Sequence, residues 1–140
     1  MLEPTIGQGL RATGRRMTRT RKAVLALLER THQPVSASEI FSQLQEADVA
    51  IDLVTVYRTV NVLKELGLVV QMDLHQENQS RYELKEGRKH HHHIRCQICG
   101  KIVDLLLCPL KKLTKLIEER TQFVVDDHTL EFSGFCPKCQ

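Results

Sequence analysis

Asp52-Leu53-Val54-Thr55-Val56-Tyr57-Arg58-Thr59-Val60-Asn61-Val62-Leu63-Lys64-Glu65-Leu66-Gly67 is the stretch on which the fold turns. Asp52 reads as a helix N-cap, since its side chain can take free backbone N–H groups of the first turn. Val56, Val60 and Leu63 fall at i, i+4 and i+7, so they share one buried stripe of a helix ending near Gly67. Tyr57, Arg58 and Asn61 then point away from it. Two strand-like runs follow, Leu68 to Leu74 and Ser80 to Leu84, with polar residues His75 to Gln79 turning between them.

Upstream, Thr18 can cap a helix to about Arg30, with Val24, Leu27 and Leu28 at helical spacing. Pro34 breaks the chain. Ser36-Ala37-Ser38-Glu39 is a capping box and opens a second helix with Ile40, Phe41 and Leu44 inward. Three helices and a hairpin make a winged helix-turn-helix, whose third helix enters the major groove while the hairpin lies beside the backbone. Six basic residues and no acid stand between Arg11 and Lys22: Arg11, Arg15, Arg16, Arg19, Arg21 and Lys22. Charge alone leaves two readings of that arm, phosphate-facing or merely solvated.

The bulk numbers agree with a globular chain. It has 140 residues, of which 41% are hydrophobic, 26% charged and 4% aromatic, and a net charge of +3. Few aromatics argue against base-stacking platforms. No apolar run approaches the roughly 20 residues of a membrane span, and no signal-peptide core is present. The expected compartment is the cytoplasm, where thiols stay reduced and paired cysteines read as metal ligands before disulfides.

All five cysteines and five of the seven histidines lie from His90 onward. This divides the chain into a winged-helix part, residues 1–85, and a small metal-binding and dimerisation part, residues 86–140. The fold class is therefore α+β, with a C-terminal α/β unit reading strand, strand, helix, strand. His92 to Arg95 and Lys101 to Leu107 are the first strands, and Pro109 opens a helix carrying Leu110, Leu113 and Ile117. Phe123-Val124-Val125 and Thr129 to Phe132 are also strand-like. Roughly 50 residues are too few for an independent core, so a metal, a partner subunit or both must hold this unit.

Cys96-Gln97-Ile98-Cys99 and Cys136-Pro137-Lys138-Cys139 are two CxxC knuckles, and Gly100 suits the tight turn after the first. A two-residue spacer lets both sulfurs of a turn face one ion, and four thiolates close a tetrahedron around Zn(II) with no position for water. That marks a structural site and argues against an enzyme. No nucleophile and base stand at a recognisable spacing, and no small-molecule substrate is expected. A thioredoxin-like dithiol would need a βαβ context that is missing here. Cys108, among leucines near a helix start, reads as a small apolar residue.

His90-His91-His92-His93 lies inside the chain. On a strand, His91 and His93 share one face, and His90 and His92 the other. His91 and His93 can chelate one ion with Glu83 at the end of the wing and Asp104 on the next strand. Imidazole and carboxylate together suit Fe(II), Mn(II), Co(II) or Zn(II). Such an ion would tie the DNA-binding half to the other half and so couple metal to helix orientation. His90, His92 and His128 are the candidates for an additional site, with Glu131 as a guessed carboxylate. His32 is a further candidate for the Glu83 site, and His75 reads as an exposed loop residue.

These segments together resemble the ferric uptake regulator (Fur) family. The resemblance runs from about Thr18 to Cys139 and rests on Thr18-Arg19-Thr20-Arg21, Val35-Ser36-Ala37-Ser38-Glu39-Ile40-Phe41, Thr55-Val56-Tyr57-Arg58-Thr59, Glu65-Leu66-Gly67-Leu68-Val69, Arg81-Tyr82-Glu83-Leu84, the His run with Cys96 to Asp104, and His128 before the last cysteines. It implies a homodimeric, metal-dependent repressor of double-stranded operator DNA. It implies structural Zn(II) at the four cysteines and a regulatory ion at Glu83, His91, His93 and Asp104. It also implies Tyr57 and Arg58 on the DNA-facing helix; Thr55 on that helix, and Arg15, Arg16, Arg19 and Arg21 of the basic arm as phosphate contacts, complete the expected DNA-binding set. Many relatives carry a histidine where Pro34 stands, and His32 can replace it. Relatives with a second sensory site often have an acid at the position of Lys111. Fe(II) is the favoured regulatory ion; zinc-uptake regulation and iron-dependent peroxide sensing are alternatives on the same fold. A metal-storage protein without DNA activity is a further alternative, against which the basic arm and the polar helix face argue.

Overall fold

The computed structural model describes residues 14–74, 77–85 and 89–140. Arg11 and His75 lie outside the described residues. The chain divides into two compact units, Met1–Arg88 and Lys89–Gln140.

Unit 1 follows the order helix, short strand, helix, helix, hairpin: α1 (Arg19–Arg30), β1 (Val35–Ser36), α2 (Ala37–Glu46), α3 (Leu53–Glu65), β2 (Val69–Met72) and β3 (Arg81–Leu84). Each helix starts where a side chain takes an orphan N–H. Thr18 Oγ1 accepts from Arg21 N at 3.2 Å, and Asp52 Oδ1 accepts from Thr55 N at 2.6 Å. At α2 the capping box is complete: Ser36 Oγ accepts from Glu39 N, and Glu39 Oε2 accepts from Ser36 N at 2.8 Å. α3 ends at Gly67, whose φ of 71° is the left-handed conformation that costs a glycine least.

Val24, Leu27, Ile40, Leu44, Val56, Val60 and Leu63 form the core, each no more than 2% exposed. β1, β3 and β2 lie side by side in that order, all antiparallel. Sequence reading missed β1, because two residues cannot show a strand period; Val35 and Ser36 pair with Tyr82 and Arg81. Arg81 ties the wing to the helices. Its Nε donates to Glu77 Oε2 at 2.6 Å, and its Nη1 donates to Glu39 Oε2 at 2.9 Å and to the Pro34 carbonyl at 3.0 Å.

Unit 2 contains β4 (His92–Cys96), β5 (Ile102–Leu105), α4 (Lys111–Thr121) and β6 (Glu131–Gly134), with sheet order β5-β4-β6. β4 is antiparallel to β5 and parallel to β6. Pro109 stands in the turn before α4 rather than in its first turn, and Leu110 is the N-cap without a side-chain bond. The expected strand at Phe123-Val124-Val125 does not form. Gln122 turns the chain left-handed at φ 61°, and two donors of the segment go to side chains, Phe123 N to Thr121 Oγ1 and Val125 N to Glu118 Oε1.

Only His92, His93, Cys96 and Ile102 are buried in unit 2, and α4 has no buried residue. One aliphatic side chain is no core, so other forces must hold this unit.

Candidate metal centres and nucleic-acid interface

The first cluster is made by turns. Gly100, left-handed at φ 74°, lets Gly100 N reach Cys96 O at 3.0 Å and closes the first knuckle. Cys139 N reaches Cys136 O at 2.8 Å and closes the second. The four sulfurs of Cys96, Cys99, Cys136 and Cys139 lie within 4.8 Å of one another, with Cys99 Sγ to Cys136 Sγ at 3.7 Å. A zinc–thiolate bond of ~2.3 Å gives a tetrahedron edge of ~3.8 Å, so the spacing fits the ion. The electrostatics fit too. Backbone N–H groups of Cys136 and Cys99 lower the Cys96 thiol to about 6. Cys139, hydrogen-bonded with Cys136 and crowded by the other sulfurs, is pushed up to about 12. The first thiolate forms readily and the last needs a cation beside it.

The second group lies on the sheet. His91 and His93 rings are 4.9 Å apart, and His93 Nε2 is 3.4 Å from Asp104 Oδ1. The register explains it: His93 is opposite Asp104 on β5 and opposite Glu131 on β6. Asp104, His93 and Glu131 therefore form a row on one face. Glu131, guessed from sequence as a partner of His90 and His92, belongs with His93 instead, because side chains alternate along β4. Glu83 is buried on β3, opposite Val70. His32 is exposed between α1 and β1, at a groove lined by Pro34, Glu39, Gln43 and Arg81.

The third group occupies the other face. His90 Nε2 is 3.1 Å from both His92 Nε2 and His128 Nε2, and the last two are 3.3 Å apart. Burial, then the neighbouring His90 and His128 imidazoles, lower the His92 pKa and favour its neutral form. Cys108 Sγ is 3.3 Å from His128 Nε2. Sequence reading missed Cys108, whose leucine neighbours suggested an apolar residue; spacing along the chain carried no sign of its fold partners.

On unit 1, Tyr57 and Arg58 project from α3 to solvent, and Thr55 is half-buried near its start. Arg16 and Arg19 are exposed; Arg15 Nη2 binds Glu65 at 2.8 Å, and Arg21 Nη1 donates to the Arg16 carbonyl.

A winged helix joined to a sheet unit rich in metal-type clusters defines a metal-dependent DNA-binding regulator. The sequence profile of the Ferric uptake regulator family matches residues 12–133, and the chain belongs to that family. It is a transcriptional repressor rather than an enzyme. The peroxide-responsive repressor PerR of Staphylococcus aureus (strain USA300) is 34% identical over 139 residues, covering 99% of this chain and 91% of that protein. Among solved structures, the Helicobacter pylori ferric uptake regulator, described as having three functional metal binding sites, matches with a TM-score of 0.86 at 22% identity, covering 99% of this chain and 91% of that one. The Francisella tularensis regulator with iron matches at 0.79 and 29% identity, covering 90% and 95%. No helix among the described residues is long and apolar enough to cross a membrane.

Proposed function

We propose that this chain is a cytoplasmic, homodimeric repressor whose hold on double-stranded operator DNA follows the filling of a regulatory site by Fe(II), with Zn(II) or Mn(II) as the other ions the donors admit. The observation that carries the reading is the separation of donor types within unit 2. Four thiols converge at the end of β4, while the His91 and His93 rings lie 4.9 Å apart and His93 Nε2 stands 3.4 Å from Asp104 Oδ1. The thiols close a tetrahedron and suit permanent structural Zn(II); mixed imidazole and carboxylate donors suit an exchangeable ion.

Glu83, on the wing strand, is the ligand that the sequence assigns to the same ion, with His32 a further candidate. When bound, the ion supplies positive charge and a fixed ligand geometry. Arg16, Arg19 and Arg21 contact phosphates, and Arg15 joins them by exchanging Glu65 for a phosphate. Thr55, Tyr57 and Arg58 face base edges, where a guanidinium pairs with guanine and a tyrosine ring packs on a thymine methyl. A second copy covers the apolar surface of unit 2, where Leu106, Phe123 and Val124 are 79%, 74% and 89% exposed.

The division of roles has a direct test. Cys96→Ser should lose unit 2 folding and dimerisation, because structural zinc supplies folding free energy. His91→Ala should remain a folded dimer whose DNA binding no longer answers to metal. Two variants that behave alike would show that the roles are not divided. A second reading, peroxide sensing through bound iron, draws on the 34% identity to PerR. In that case peroxide releases DNA from the Fe(II)-loaded protein and not from the Zn(II)-loaded one, since Zn(II) has no redox chemistry.

A further inference from the structure

The group formed by His90, His92, His128 and Cys108 brings four ligand atoms within 4.8 Å of one another. In a neutral imidazole each Nε2 carries either one hydrogen or one lone pair. Three Nε2 atoms in mutual contact at 3.1, 3.1 and 3.3 Å cannot all be hydrogen-bonded pairs, because at least two must present like ends to each other. A cation at their centre removes that conflict. Zinc bonds of ~2.0 Å to nitrogen and ~2.3 Å to sulfur give tetrahedron edges of ~3.3 Å between nitrogens and ~3.5 Å between nitrogen and sulfur. The nitrogen edges match, and Cys108 Sγ stands 3.3 Å from His128 Nε2.

We infer that Cys108, as a thiolate, is the fourth ligand of a closed tetrahedral Zn(II) site with His90, His92 and His128. The thiol proton leaves to solvent as the sulfur–metal bond forms. A thiolate among imidazoles favours Zn(II) over the oxygen-seeking Fe(II) and Mn(II), so this donor set differs in kind from that of His91, His93 and Asp104.

The site also has a mechanical consequence. α4 has no buried residue, so little apolar packing fixes it. Cys108 lies on the connection entering α4, and His128 on the connection leaving it, while His92 opens β4. One ion on these ligands clips both connections to the central strand. It thereby sets α4 and its exposed Leu113, Leu116 and Ile117 on the face offered to a second copy.

The inference holds whether or not the His91 site governs DNA binding, and its test uses no DNA. Full-length protein with Zn(II) in the four-cysteine site is titrated with Co(II), which reports thiolate ligation by a near-ultraviolet charge-transfer band. In the wild type the band should grow with about one equivalent, and His91→Ala should keep it. Cys108→Ser, checked for unchanged circular dichroism and retained four-cysteine zinc, should lose the band and bind this Co(II) at least ~10-fold more weakly. In parallel, added Zn(II) should shield Cys108 from alkylation in the wild type and fail to do so in His128→Ala. A band that survives Cys108→Ser, or alkylation of Cys108 indifferent to Zn(II) in the wild type, would overturn the inference.

Discussion

Among single residues, the alternation of a strand divides the four histidines between two sites. His91 lies beside His93, which faces Asp104, and His90 and His92 meet His128 and Cys108. That division was legible in the sequence, because a period of two is local. The place of Cys108 was not, because it depends on the connection after β5 returning to the start of β4. Arg58 makes a residue-level prediction. It is exposed on α3, so Arg58→Ala should weaken DNA binding by roughly 1–3 kcal/mol in a fluorescence titration while metal content stays unchanged. Arg81 makes another. Its charge-assisted bonds to Glu77 and Glu39 hold the wing against the capping box, so Arg81→Met should lower unfolding free energy by ~1.5–3 kcal/mol in urea.

At the scale of elements, caps and apolar periods made the three helices of unit 1 readable. Thr18, Ser36 and Asp52 are the residues at which the helices start. β1 was hidden in the capping box, and Phe123-Val124-Val125 looked like a strand only because β-branched and aromatic residues also line exposed surfaces. Ser36→Ala removes one half of the box and should cost ~1 kcal/mol of unit 1 stability. Asp52 gives a pH dependence. The Thr55 N–H lowers its carboxyl pKa below the ordinary 3.8. The cap's contribution is therefore full above that value and is lost as pH falls through the depressed folded one. Asp52→Asn should flatten the acid limb of thermal stability; an unchanged limb would show that the cap is unimportant there.

Across the whole molecule, two units of opposite construction share one chain. Unit 1 has an apolar core and unit 2 has almost none, with ligand side chains in its place. The two-part composition of the sequence foreshadowed this, since every cysteine lies beyond residue 90. The basic N-terminal residues should make DNA affinity depend on salt, and replacing Arg19 by Ala should reduce the salt slope by about 1. The central claim is that a metal ion held by His91, His93 and Asp104 governs DNA binding. Its most direct test starts from dimer carrying zinc only at the four cysteines and a duplex selected from a random pool by the metal-loaded protein. Fe(II), Mn(II) and Zn(II) are titrated in turn without oxygen while duplex binding is followed. The expected result is a rise in affinity as one site per protomer fills, strongest with Fe(II) and absent in His91→Ala. Affinity indifferent to every ion, or an equal rise in His91→Ala, would contradict the account.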